Sequence, residues 1–214
     1  VMVDRSMPTR ERLVVAMGEL LRRQGYGATT VKQLTEVAGA TMGSLYHHFP
    51  GGKPEVAAAA LRSSGAAYLA LIPTLLDGAP DLDDAIPGAF ALAAEHIAEA
   101  GWITMCPVGT VAGEVADSEP EVAAAAAEVF ADWIAGGTAY FAARGLADDA
   151  ARELTLAVLS SLEGAFVLAR SLRSPDPLLA AGSALREHVR RVVAASAARA
   201  GSGADAAPGG PGTT

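Results

Sequence analysis

Apolar positions recur along this chain at spacings of three and four, in blocks separated by glycine and proline, and that pattern predicts helices throughout. After an arm of residues 1–8 ending at Pro8, the residues Leu13, Met17, Leu20 and Leu21 form the first apolar face. Thr9 is placed to cap this helix, with Arg12 rather than an acid three residues on, so a full capping box is not expected. The turn Gly25-Tyr26-Gly27 ends the helix and brings Tyr26 back toward the core. Thr30 opens a short second helix with Val31, Leu34, Val37 and Ala38 inward, closed by Gly39. Thr41 opens a third, anchored by Leu45 and Phe49 and ended by Pro50-Gly51-Gly52.

From Pro54 the blocks lengthen. A helix over about 55–76 presents Leu61, Leu69, Ile72 and Leu76, and one over about 82–100 presents Ile86, Phe90, Ala93, Ala94 and Ile97, with Pro87 read as part of its first turn. Residues 101–118, punctuated by Gly101, Pro107, Gly109 and Gly113, read as irregular or short-helical. Val122, Val129, Phe130, Trp133, Ile134 and Phe141 mark a helix over about 119–144, despite the cost of Gly136-Gly137 inside it. Two more follow over about 148–172 and 177–198, separated by Arg173-Ser174-Pro175-Asp176-Pro177.

The expectation is an all-α chain. Residues 1–53 form an N-terminal three-helix domain with a helix-turn-helix, 54–200 a larger helical domain, and 201–214, rich in Gly, Pro and Ala, a disordered tail. Composition agrees: 51% of residues are hydrophobic, 19% charged and only 5% aromatic, with alanine supplying much of the apolar count. Charge interrupts the apolar runs before 18 residues, so no membrane span is expected, and a cytoplasmic location is. Cys106 stands alone, which excludes an internal disulfide and shows no metal-ligand cluster.

A net charge of −8 argues against a nucleic-acid partner until its distribution is considered. Residues 1–53 carry Arg5, Arg10, Arg12, Arg22, Arg23, Lys32 and Lys53 against Asp4, Glu11, Glu19 and Glu36, a net +3 that leaves −11 on the rest. A basic end on an acidic body suits a chain that touches DNA with that end only. In a three-helix unit of this kind the third helix enters the major groove while the second crosses the backbone. Thr41, Met42, Ser44, Tyr46 and His47 are the outward candidates on the third helix, and Lys53 is placed to meet a phosphate. Pattern alone also admits a structural role: Tyr46 as a core-edge aromatic, His48 as a satisfied histidine, and three short helices capping any helical domain.

The motifs narrow this. Gly25-Tyr26 followed by Thr29-Thr30-Val31, then Glu36, Ala38 and Gly39, then Gly43-Ser44-Leu45-Tyr46-His47-His48-Phe49 with Pro50-Gly51-Gly52-Lys53 behind it, resemble the N-terminal domain of TetR/AcrR-type regulators. That resemblance implies DNA contact by Thr30, Thr41, Gly43, Ser44, Tyr46, His47 and Lys53, with Leu45 and Phe49 in the core. Met42 departs from the Lys or Arg often found there, which removes a phosphate or base contact or shifts it to thymine methyls. Cys106-Pro107-Val108-Gly109-Thr110 and the run Leu162 to Arg170 resemble the LmrA/YxaF-like branch. This second resemblance implies a homodimer held by the last two helices and a cavity between the long helices.

For the cavity the candidates are Phe90, His96, Trp102, Met105, Cys106, Phe130, Trp133, Glu163 and Phe166, apolar walls with a few polar groups for a small apolar or aromatic effector. For the dimer interface they are Gly164, Ala165, Ala169, Ala181 and Leu185, small or aliphatic residues that allow close approach. The reading is a ligand-responsive repressor that binds a palindromic operator as a homodimer and is released by a small molecule. No nucleophile elbow, phosphate loop or carboxylate pair points to an enzyme, and no cofactor is expected. A metal sensor, a helical protein-interaction module and an activator remain the alternatives.

Overall fold

The structure, a computed structural model, describes residues 3–115 and 118–204; the expected tail from 205 onward lies outside the described residues. Among the described residues it holds nine helices and no strand. They are α1 (Thr9–Gln24), α2 (Val31–Ala38), α3 (Met42–His48), α4 (Lys53–Leu76), α5 (Leu82–Glu99), α6 (Pro107–Val115), α7 (Pro120–Ala142), α8 (Asp148–Leu172) and α9 (Asp176–Ala204).

Local chemistry sets the head. Pro8, not Thr9, occupies the N-cap of α1, so no side chain caps that helix. Arg12 is drawn inward instead: its guanidinium donates to the carbonyls of Ala38 at 2.9 Å, Gly39 at 3.3 Å and Met7 at 2.8 Å. It thereby satisfies free carbonyls at the C-terminus of α2 and ties that end to α1. The α2 cap is a reciprocal box, in which the Thr30 hydroxyl accepts from the Gln33 N–H and the Gln33 side chain accepts from the Thr30 N–H. Gly39 closes α2 in the left-handed region at φ 59°, where a side chain would be strained.

Several elements of the body differ from the sequence pattern. Pro87 lies in the second turn of α5 rather than its first, and Pro73 lies inside α4, so each helix forgoes one internal hydrogen bond. The punctuated stretch 101–118 agrees with its short-helical reading, holding the nine-residue α6. The helix α9 extends beyond the expected tail boundary, to Ala204. Gly136 and Gly137 leave α7 intact because both sit at close approaches. A Cβ on Gly136 would lie 2.5 Å from Leu69 of α4, and one on Gly137 would lie 2.6 Å from Thr155 of α8.

Two cores hold the molecule. The first joins Leu13, Met17, Leu21, Leu34, Leu45 and Phe49 of the head to Val56 and Leu61 of α4, Val108 and Val111 of α6, and Val122 and Val129 of α7. The second lies among α5, α8 and α9, around Ile86, Phe90, Ile97, Leu154, Leu178 and Val189. The helix α5 runs along α9, α4 along α7, and α8 packs on both α7 and α9. By length and the mean hydropathy of 1.3 of their most apolar stretches, α4 and α8 are long and apolar enough to cross a membrane, although charge interrupts both, at Arg62 in α4 and at Glu163 and Arg170 in α8. Both contribute buried residues to the cores.

Candidate nucleic-acid interface and sensing cavity

Leu45 and Phe49 point from α3 into the first core and are fully buried, which fixes the opposite side of that short helix toward solvent. Thr41, Met42, Gly43, Tyr46 and His47 are exposed there, Ser44 is half-buried, and Thr30 is exposed at the start of α2. Two of the hydroxyls already work as caps. Thr41 Oγ1 accepts the Ser44 N–H at 3.0 Å and shares a hydrogen bond with Ser44 Oγ at 2.9 Å, while Thr30 is engaged with Gln33. Any further contact uses their remaining hydrogen-bonding capacity. The His47 and His48 rings meet edge to face, with centroids 5.0 Å apart.

Cations near this face are largely committed elsewhere. Arg10 stacks on the Phe49 ring at 5.0 Å, and Lys32 lies 3.9 Å from Glu36. Lys53 does not project freely as a phosphate ligand. Its ammonium sits 3.8 Å above the Tyr26 ring, where burial pulls its pKa down against the opposing pull of Glu119 and Glu114. Burial, and then the nearby Glu119, push the Tyr26 phenol up.

The head is fastened to the body by a residue that the sequence pattern did not single out. Glu114 on α6 accepts the backbone N–H of Tyr26 at 2.7 Å and that of Gly27 at 2.6 Å, one on each carboxylate oxygen. The turn must stay bare for this, since a Cβ on either Gly25 or Gly27 would come within 2.6 Å of the carboxylate. Two weaker ties run alongside: the Met105 N–H donates to the Arg22 carbonyl at 3.1 Å, and Arg170 of α8 donates to the Arg23 carbonyl at 3.3 Å. The one available sequence signal was the pair of glycines flanking Tyr26, which leave backbone donors uncovered.

A cavity of about 550 Å³ opens beside α6, lined by Met105, Gly109, Thr110, Ala112 and Gly113, by Phe130 of α7, and by Glu163, Gly164 and Val167 of α8. Three predicted cavity residues, Met105, Phe130 and Glu163, meet there. Cys106 adjoins it, its sulfur accepting the Gly109 N–H at 3.4 Å, and burial and then Glu163 push its thiol pKa up. Trp133 stands behind Phe130 with ring centroids 5.6 Å apart, its indole N–H donating to the Gly65 carbonyl at 2.9 Å. The others go elsewhere. Phe90 is buried in the second core against α9, where a Cβ on Gly182 would lie 2.8 Å from it; Phe166 and Trp102 pack on that same core, and His96 faces solvent.

The expected dimer residues also need correction. Ala165, Ala169 and Leu185 are buried within the protomer, and Ala181 packs against the same core, where α8 and α9 pack on each other. Gly164 faces the cavity. The apolar surface these two helices leave uncovered is Val167, Leu168 and Leu172 on α8 with Leu179 and Val193 on α9; Leu172 is 65% exposed.

Comparison with known proteins places both halves. Residues 13–68 match the family model described as bacterial regulatory proteins of the tetR family, and residues 84–184 match the C-terminal domain of LmrA/YxaF-like transcriptional regulators. The chain is 33% identical over 174 residues to the HTH-type transcriptional regulator Rv0196 of Mycobacterium tuberculosis, covering 79% of this chain and 88% of that protein. It is 31% identical over 171 residues to YxaF of Bacillus subtilis, covering 80% and 90%. The crystal structure of regulatory protein TetR from Rhodobacter sphaeroides superposes with a TM-score of 0.72 at 25% identity, covering 83% of this chain and 97% of that one.

Proposed function

Because the chain belongs to the TetR family of bacterial transcriptional regulators, we propose that it is a cytoplasmic repressor that binds a palindromic operator as a homodimer and releases it when a small molecule enters the cavity beside α6. The observation that carries DNA reading is the outward side of α3, where Thr41, Met42, Gly43, Tyr46 and His47 are exposed over the fully buried anchors Leu45 and Phe49. Residues 1–53 serve as the reading head and 54–200 as the sensing and dimerising body.

One copy would offer a single short helix to the groove, so a two-fold pair is needed to read two half-sites. The uncovered apolar strip of Val167, Leu168, Leu172, Leu179 and Val193 supports pairing through α8 and α9. Cavity and head share α6: Gly109, Thr110 and Gly113 border the cavity, and Glu114 of the same helix grips the Tyr26–Gly27 turn. A ligand that favours a displaced α6 shifts the head away from its DNA-reading position. Blocking access to a promoter is the simplest outcome of such binding.

Fluorescence anisotropy with the duplex lying upstream of the gene tests this. Specific binding, weakening as salt rises, is expected. Substituting Tyr46→Ala or His47→Ala lowers affinity by about tenfold, the scale of one base or backbone contact. Binding no stronger than to a scrambled duplex at low salt would overturn the reading.

A further inference from the structure

The cavity beside α6 carries one titratable group among its lining residues, and that group is acidic. Glu163 stands beside Met105, Phe130 and Val167, and the remaining polar lining side chain, Thr110, already donates its hydroxyl to the Cys106 carbonyl at 2.8 Å. Glu163 is pressed onto the backbone of α6, so closely that a Cβ on Gly109 would collide with its carboxylate. Among the described residues no ion pair joins it to a lysine or arginine. Burial raises its pKa and the hydrogen bond from the Cys106 thiol lowers it, burial being the larger effect, so the ionised form is compensated only in part and by a neutral group.

The surroundings do not supply the missing charge. Besides Cys106, Tyr68 of α4 is a titratable neighbour: its phenol is pushed up by burial and by Cys106, pulled down by Arg22, and pushed up by Glu163. Arg22 is held by Glu19 at 2.8 Å. The ring edges of Tyr68 and Phe130 both meet Trp133, with centroids 6.2 Å and 5.6 Å away, so aromatic rings cluster on this side of the cavity. Ring faces attract cations, and an acidic body carrying −11 outside the head draws them toward the opening.

Resting on the sensing role given above, we propose that the ligand of this cavity is a monovalent organic cation bearing an apolar ring, its charge met by Glu163 and its ring laid against Phe130. An anion would bring a second negative charge beside an unpaired carboxylate. A neutral ring would fill the apolar wall yet leave that carboxylate desolvated. The volume of about 550 Å³ suits a molecule of this kind.

The test is calorimetric titration of the full chain, without DNA, using benzyltrimethylammonium and its uncharged carbon isostere neopentylbenzene. The cation is expected to bind at least about tenfold more tightly, and Glu163→Gln to abolish that preference by weakening the cation and strengthening the isostere. Equal affinity for the two, no binding by either, or a preference that survives Glu163→Gln overturns the proposal. The wild-type comparison stands without the variant should the latter fold poorly. Operator binding is read separately by anisotropy: intact operator binding with no cation preference rejects the ligand class alone, whereas no operator binding rejects the regulatory role.

Discussion

The three-helix head and the pair α8–α9 dispose of their apolar surface in opposite ways. The head sends Leu13, Met17, Leu21, Leu34, Leu45 and Phe49 fully inside the protomer; among its large apolar residues Met42 and Tyr46 stay exposed on the α3 face, with Val15 and Val37 elsewhere. The α8–α9 pair buries Leu154, Leu178 and Val189 and leaves five large aliphatic side chains in the open. Large aliphatic side chains left exposed on two helices that pack together suit a partner-binding face. The head's core, moreover, is not its own: it runs on into α4, α6 and α7. So α3 is held in its head by buried anchors, and the head is fastened to α6, the helix that borders the cavity.

The strongest way to break this contrast is to charge the exposed strip. Leu168→Asp combined with Leu172→Asp should convert a dimer to monomers by sedimentation and lower operator affinity by about a hundredfold or more, since paired half-site binding is lost. Both residues are exposed in the protomer, so helicity should be unchanged. A smaller effect is expected in the head. Thr30→Ala removes the reciprocal cap of α2 and should cost about 1 kcal/mol, a fall of about 3 °C in Tm at fixed protein concentration. The smallest concerns Glu163, whose raised pKa means the folded state holds its proton more tightly than the unfolded one. Folded-state stability therefore falls as pH rises from the unfolded pKa through the folded one. Glu163→Gln should raise Tm slightly, by about 1–2 °C, at neutral pH, and that gain should vanish below the unfolded carboxylate pKa of about 4.3.

The head was legible because its signals are local. Caps at Thr30 and Thr41, the glycine closing α2, and the inward pair Leu45 and Phe49 lie within a few residues of what they control. The inward faces of the body helices were legible too: Ile86, Phe90, Ala94 and Ile97 of α5 and Val122, Val129, Trp133 and Phe141 of α7 are buried where the pattern puts them. What the pattern did not separate is packing within the protomer from packing between copies: Ala165 and Ala169 of α8, read as an interface, are buried inside, while Val167 and Leu168 stay exposed. Aromatic side chains were gathered into one cavity on the strength of their size, yet Phe90 and Phe166 belong to a second core that the one-dimensional pattern does not separate from the first. Glu114 was invisible for the same reason, because its partners are 87 and 88 residues away.

The coupling of head to body through α6 is measured most directly by operator affinity in Glu114→Ala, which removes both acceptors from the Tyr26–Gly27 turn. With helicity and dimerisation intact, affinity for the upstream duplex should fall by about tenfold, corresponding to about 1.4 kcal/mol. Affinity within twofold of wild type would show that the head holds its DNA-reading position without this carboxylate, and would contradict the coupling.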